Sequence, residues 1–182
     1  MIVFIIGAPG TGKTSVATEL QNSGWTVADL DDNLLAQGIS PAEFVLEGKH
    51  TELEASYHQL LTSLIEDVKR EPGEKYAIVL PSNFVVTEGS SDCNPKLLQT
   101  LARIRDTTPM YAVGLETNLS KLVLRNGLIG NRGVNPVMPR KSLRNLYERF
   151  SEAVSPLVNL SLDSSTQSAA ELAKIIDQEY RC

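Results

Sequence analysis

Two cysteines in 182 residues, Cys93 and Cys182, supply neither a disulfide framework nor a pair at metal-ligand spacing. Histidine is as scarce: His50 and His58 have no cysteine beside them, a poor start for a zinc site. Aromatic residues make up 5% of the chain, and 17 basic residues face 22 acidic ones for a net charge of −5. A nucleic-acid or membrane-surface binder carries a basic field with interleaved aromatics, so neither partner is expected. The opening apolar run, Ile2–Ile6, falls short of the ~20 residues of a membrane span and lacks the basic flank of a signal peptide. What remains is a soluble cytoplasmic protein, monomeric or weakly dimeric. With 42% hydrophobic residues it can bury a full core, and its length suits one domain, 1–182. Any anionic ligand must be held by local geometry, since the global charge repels it.

Short apolar runs alternate with amphipathic stretches. Ile2-Val-Phe-Ile-Ile6, Trp25-Thr-Val-Ala28, Tyr76-Ala-Ile-Val-Leu80, Met110-Tyr-Ala-Val-Gly-Leu115 and Val158-Asn-Leu-Ser-Leu162 read as strands. The first and third show little polar alternation, as strands covered on both faces do. Ser40-Pro41-Ala42-Glu43 and Thr51-Glu-Leu-Glu54 read as capping boxes, Asn94-Pro95 as a helix start, and Ser168-Ala-Ala-Glu171 as the cap of the last helix. Leu53, Tyr57, Leu60, Leu64 and Val68 form one helical stripe; Leu143, Leu146, Tyr147, Phe150 and Val154 form another. Both read as core without a ligand role. Strand–helix alternation predicts a three-layer α/β fold with a mainly parallel sheet.

Directly after the first strand stands Gly7-Ala8-Pro9-Gly10-Thr11-Gly12-Lys13-Thr14, then Ser15, a complete G-x-x-x-x-G-K-[ST] motif between strand and helix. Glycines permit backbone angles and close approach that a Cβ would block. The backbone N–H groups can then converge on a phosphate at a helix N-terminus, Lys13 can reach the terminal phosphates, and Thr14 can ligate Mg²⁺. ATP with Mg²⁺ is the ligand this implies. There is no N-K-x-D guanine-reading motif, and Tyr76–Leu80 runs into Pro81-Ser82-Asn83 without the aspartate that ends a Walker B strand.

Asp29-Leu30-Asp31-Asp32 follows the second strand, whose end faces the phosphate loop in an open α/β sheet. Asp29 is a candidate for Mg²⁺ and Asp31 for orienting or deprotonating an attacking hydroxyl, while Asp32 is the expected cap of a helix beginning near Asn33. Arg125 and Arg132 flank a glycine-containing stretch, and the region of about 125–140 that holds them reads as a lid carrying cations to a migrating phosphoryl group.

Together these residues resemble the shikimate kinase family of small P-loop kinases. Gly7–Thr14 is similar to its phosphate loop, Asp29-x-Asp31 to its D-x-D, and Gly38-Ile-Ser-Pro-Ala-Glu-Phe44 to its substrate-binding stretch. Arg125 and Arg132 resemble its two lid arginines. The resemblance implies a five-stranded parallel sheet in the order 2-3-1-4-5 and an acceptor-binding helical region near 33–70. It also implies catalytic roles for Lys13, Asp31 and Arg132, Arg149 on a substrate carboxylate, and Ser164 and Gln167 in a loop against adenine. Two elements depart. Where the family carries F-R-x-x-E, with an arginine for the substrate carboxylate, this chain has Glu52-Leu53-Glu54-Ala55-Ser56. Pro81-Ser82-Asn83 replaces its G-G-G, offering Ser82 and Asn83 as neutral groups for a hydroxyl-bearing acceptor or forming a plain turn. Three functions stay open: a small-molecule kinase, a nucleoside or nucleotide kinase, and a regulatory nucleotide-binding protein without acceptor chemistry.

Overall fold

All six residues of the first strand, β1 (Ile2–Gly7), are buried, and strand alternation sends them to two different cores. Ile2, Phe4 and Ile6 enter one cluster with Tyr76, Ile78 and Leu80, and Val3 and Ile5 enter the other with Ala77 and Val79. A strand apolar on both faces must be covered on both faces, which places β1 at the centre of a sandwich.

The computed structural model describes residues 1–71, 73–87, 90–129 and 140–180. Its strands β1, β2 (Thr26–Asp29), β3 (Tyr76–Val79), β4 (Met110–Glu116) and β5 (Leu160–Asp163) form one parallel sheet in the order β2-β3-β1-β4-β5. Fold class and strand order are as expected. Helices α1 (Lys13–Asn22) and α9 (Ala169–Glu179) cover one face through Val16, Ala17, Leu20, Leu172 and Ile176. The other face takes α2 (Leu30–Ala36), α4 (His50–Arg70), α6 (Pro95–Arg105) and α8 (Arg140–Val154), with Phe44 of α3 (Pro41–Leu46) packed at its margin. The one-turn α5 (Ser82–Val85) and α7 (Leu119–Ile129) follow β3 and β4. No described helix is long and apolar enough to cross a membrane.

Register positions the chemistry. Ile5 pairs with Val79 on one side and Val113 on the other, and Val79 pairs with Asp29. The ends of β1, β2 and β3 therefore lie side by side, and the loops leaving them share one edge of the sheet.

Several expected boundaries move. Ser40 caps α3 by accepting from the Glu43 N–H at 3.3 Å, Asn94 caps α6 by accepting from Lys96 and Leu97, and Ser168 with Glu171 forms a full capping box. Thr51 caps nothing: α4 begins one residue before it, and its N-cap, Lys49, makes no side-chain cap bond. Gly48, at φ +70°, turns the chain back so that the Lys49 N–H bonds the Phe44 carbonyl at 2.8 Å, ending α3 and leading into α4 through a short turn. Helix α2 starts straight off β2, so its cap is Asp29 and not Asp32. Pro81-Ser82-Asn83 is neither strand nor open turn, because Pro81 is the N-cap of α5.

Candidate phosphate-binding and acceptor site

Between β1 and α1 the chain turns through Gly10 at φ +86° and Gly12 at φ +95°, a region that side chains other than glycine rarely adopt. Gly7 is needed for space. A Cβ there would stand 2.4 Å from Thr11 Oγ1 and 2.9 Å from the Leu115 carbonyl oxygen. Thr11 is fully buried and donates to the Ala8 carbonyl at 2.9 Å, bracing the loop from inside. Ser15 is exposed on the first turn of α1, and Pro9 is exposed at the loop's tip.

Lys13 folds back over this loop. Its Nζ donates to the Gly7 carbonyl at 2.8 Å and to Ser82 Oγ at 3.2 Å, and Ser82 Oγ in turn donates to the Gly7 carbonyl at 2.9 Å. Lost hydration lowers the Lys13 ammonium to about 8, against an opposing pull from Asp31 and then Asp29. An ammonium so short of counter-charge is prepared for an anion. Ser82, expected to meet substrate, here has its hydroxyl on the phosphate loop.

Asp29 does two things at once. Its Oδ1 accepts from the Asp31 N–H at 3.1 Å, capping α2, and its Oδ2 accepts from Thr14 Oγ1 at 2.9 Å. Asp31, in the first turn of α2, accepts from the Tyr57 hydroxyl at 2.5 Å. Burial raises both carboxyls above the ordinary range, offset in part by the Thr14 bond at Asp29 and the Tyr57 bond at Asp31. Tyr57 is core, as its stripe implies, but its hydroxyl has a partner that the stripe does not reveal. Its ring belongs to the core at 1% exposure, but its hydroxyl grips Asp31 and is also hydrogen-bonded by Asn83. A buried tyrosine needs a partner for its hydroxyl, and that was the one signal in the sequence.

On the nucleotide side, Arg125 bridges two loops. Its guanidinium donates to the Gly10 carbonyl at 3.1 Å, to Ser164 Oγ at 3.2 Å and to the Ser164 carbonyl at 3.2 Å. Ser164 is buried, its N–H bonded to the Glu116 carbonyl, while Gln167 is half-buried in the same turn. Arg125 lies within α7 and not in a loop, because Asn118 accepts from the Lys121 N–H and Leu122 is fully buried, so the helix persists to Ile129. Arg132 and lid residues 130–139 lie outside the described residues. Arg149 is exposed on α8, its Nε donating to the Asn145 carbonyl of its own helix at 3.3 Å.

Beside Asn83 and Tyr57 opens a cavity of about 260 Å³, walled also by His50, Leu53, Glu54, Phe84 and Thr87. Cys93 stands apart from it, its thiol donating to the Ala153 carbonyl and pushed up by burial, which makes it a poor nucleophile.

A parallel sheet in the order β2-β3-β1-β4-β5, with a glycine loop and lysine between β1 and α1, defines the P-loop kinase fold. Within that class the chain has the fold of the shikimate kinases. The Bacteroides thetaiotaomicron enzyme superposes with a TM-score of 0.69 at 12% identity, over 98% of this chain and 97% of its own. The Acinetobacter baumannii enzyme, solved in complex with shikimate, gives 0.64 at 19% identity over 98% and 91%, and the Aquifex aeolicus enzyme 0.65 at 15% over 98% and 95%. At such identities the likeness is one of fold. No family model matches the sequence, and no curated protein is similar to it in sequence.

Proposed function

We propose that this chain is an ATP-dependent kinase that transfers the γ-phosphoryl group to a hydroxyl of a small polar metabolite. The observation that carries the reading is the meeting of Lys13, the Thr14–Asp29 pair and Asp31 along one edge of the sheet, beside a cavity that Tyr57 and Asn83 wall. Phosphoryl transfer asks for little else than positioning and charge. Gly10 and Gly12, both at positive φ, let the loop backbone curl as a phosphate cradle requires. Lys13 and Arg125 supply cations there, and Arg132 would add a third from the lid.

The donor set fits magnesium: Thr14 offers a hydroxyl and Asp29 a carboxylate, hard oxygen ligands at the entrance to the loop. Bound there, Mg²⁺ would neutralise charge on the phosphate oxygens. Asp31 takes the acceptor's proton as its oxygen bonds the γ-phosphorus and the bond to the β-phosphate oxygen breaks, releasing ADP. Its raised carboxyl brings it closer to the basicity such a role wants. Ser164 and Gln167 are proposed to flank the base, residues 33–70 to hold the acceptor, and 125–140 to close over it.

At 260 Å³ the cavity lies below the ~300–1,000 Å³ range of drug-sized pockets, which favours a small metabolite over a nucleoside acceptor. Shikimate, the ligand of the Acinetobacter structure, is a poor candidate: Glu54 stands in the segment where a carboxylate-binding arginine was expected. ADP release with magnesium and a panel of hydroxyl compounds tests the reading. Acceptor-stimulated turnover should appear and fall by at least ~10²-fold in Asp31→Asn, within the range for a lost general base. Tight nucleotide binding without any acceptor-stimulated turnover would instead support a regulatory protein.

A further inference from the structure

We propose that the acceptor is an amino alcohol: a hydroxyl compound that carries a protonated amine and no carboxylate, with its ammonium seated against Glu54. The inference rests on the kinase reading and adds the charge of the substrate. It starts from the walls of the 260 Å³ cavity, which among the described residues include one carboxylate, Glu54, and neither lysine nor arginine. Asn83 and Thr87 contribute neutral hydrogen-bonding groups, and Tyr57 and Phe84 contribute ring surface. A carboxylate or phosphate entering this space would face Glu54 at close range, whereas an ammonium would find a counter-charge with aromatic rings nearby.

Glu54 is poorly compensated as it stands. Its side chain is 20% exposed, yet its cationic partner, Lys96, reaches in from outside at 3.1 Å with a side chain 67% exposed. So exposed a lysine holds little energy in the pair and is readily displaced. At 3.9 Å from the same carboxylate oxygen lies the Nε2 of His58, buried and without a hydrogen bond. Burial lowers the His58 imidazole, so it adds no firm positive charge, and its ring is spent edge-on against Phe84 at 4.8 Å. The remaining imidazole nearby, His50, is on the opening turn of α4, one turn before Glu54.

The spacing suits one small molecule. Glu54 and Tyr57 stand three residues apart on α4, hence on one face about one helical turn (~5 Å) apart, and Tyr57 leads to Asp31. An amine on Glu54 thus places a hydroxyl a few bonds away towards the base and the phosphate loop.

The test uses size-matched trios that differ in charge: 2-amino-1,3-propanediol, glycerol and glycerate; and glucosamine, glucose and glucuronate. With ATP and magnesium, kcat/KM should rank amine over neutral over carboxylate, with at least about tenfold between the ends. Glu54→Gln should erase about tenfold of the amine-over-neutral preference. Lys96→Gln, which changes a residue outside the cavity wall, should leave neutral turnover alone and tighten the amine's KM by a few-fold, because the amine no longer competes with Lys96. Faster turnover of the carboxylate members, an unchanged amine preference in Glu54→Gln, or a weaker amine KM in Lys96→Gln would each overturn the assignment while leaving the kinase reading intact. No turnover with any member, while calorimetry still records ADP–magnesium binding, would overturn the kinase reading and this inference together.

Discussion

Tyr57 holds Asp31 through a 2.5 Å hydrogen bond, and with it the end of β2 is tied to the 21-residue helix α4. That helix is a firm support, since it buries Leu53, Leu60, Leu61, Ile65 and Val68 along with Tyr57 itself. At ~1.5–3 kcal/mol for each large apolar side chain, a small displacement of the helix costs far more than one hydrogen bond returns. The carboxylate is thereby fixed by the core.

Tyr57→Phe is therefore the sharpest probe of the acceptor side. It keeps the ring and its 5.1 Å contact with Phe84 but removes the hydroxyl. The lost bond favours the charged form of Asp31, so its removal raises the Asp31 carboxyl further. The acid limb of kcat/KM should move to higher pH, with a loss of about 1 kcal/mol in urea unfolding. An unmoved acid limb alongside lower stability would reduce Tyr57 to a structural role.

On the proposed function, Lys13 would make nucleotide binding a proton-coupled event. Its ammonium is lowered to about 8 in the free protein because burial has stripped it of water. Phosphate oxygens favour the charged form and raise it again, so at pH 9 binding should take up a proton. Calorimetry in buffers of different ionisation enthalpy reads this directly. Uptake should approach one proton per nucleotide above pH 8 and vanish near pH 6.5. The same depressed value means that unfolding of the nucleotide-free protein becomes harder as pH rises from about 8 towards the ordinary lysine value of 10.5, because there the unfolded chain binds the extra proton.

How much of this was legible in the sequence depends on how local each signal is. The phosphate loop declared itself because glycine spacing, lysine and threonine all serve one turn. The five strands declared themselves because β1 and β3 are apolar on both faces. Asp29 was legible by position, being the last residue of β2, but its second duty as cap of α2 was not: the helix follows the strand without a break, and no linker residue marks the junction. Thr51 misled because a capping pattern has no force where the preceding helix already delivers the chain at Gly48 and Lys49. Tyr57, Ser82 and the Glu54 wall depend on contacts between segments 26–75 residues apart in sequence, as with Tyr57–Asp31 and Ser82–Gly7, and spacing rules see none of them.

Two glycines separate steric need from backbone need. Gly7→Ala would put a Cβ 2.4 Å from Thr11 Oγ1 and 2.9 Å from the backbone oxygen of Leu115, neither of which is the end of a flexible side chain. Overpacking of this kind costs about 1–3 kcal/mol, and it displaces the loop, so nucleotide affinity should fall with stability. Gly24→Ala has nothing within 4 Å and only its φ of +88° to strain, a cost of about 1–2 kcal/mol. Its melting temperature should drop while ADP–magnesium affinity stays as in the wild type. Equal losses of affinity in the two variants would show that the effect is global destabilisation and not the loop.

Ser82 decides between two roles that its position allows. Its hydroxyl accepts from Lys13 and donates to Gly7, which makes it a brace for the phosphate loop, while its neighbour Asn83 faces the cavity. If the brace is its whole role, Ser82→Ala loses about 0.5–1.5 kcal/mol of stability in the free protein. Nucleotide then draws Lys13 away from that contact in any case, so acceptor KM should be unchanged and nucleotide affinity unchanged or slightly tighter. Asn83→Ala removes a group from the cavity wall and from the Tyr57 hydroxyl, so its effect should fall on acceptor KM and on the acid limb of the pH profile. Should Ser82→Ala raise acceptor KM as much as Asn83→Ala does, the serine contacts the acceptor during turnover and the brace is only its resting state.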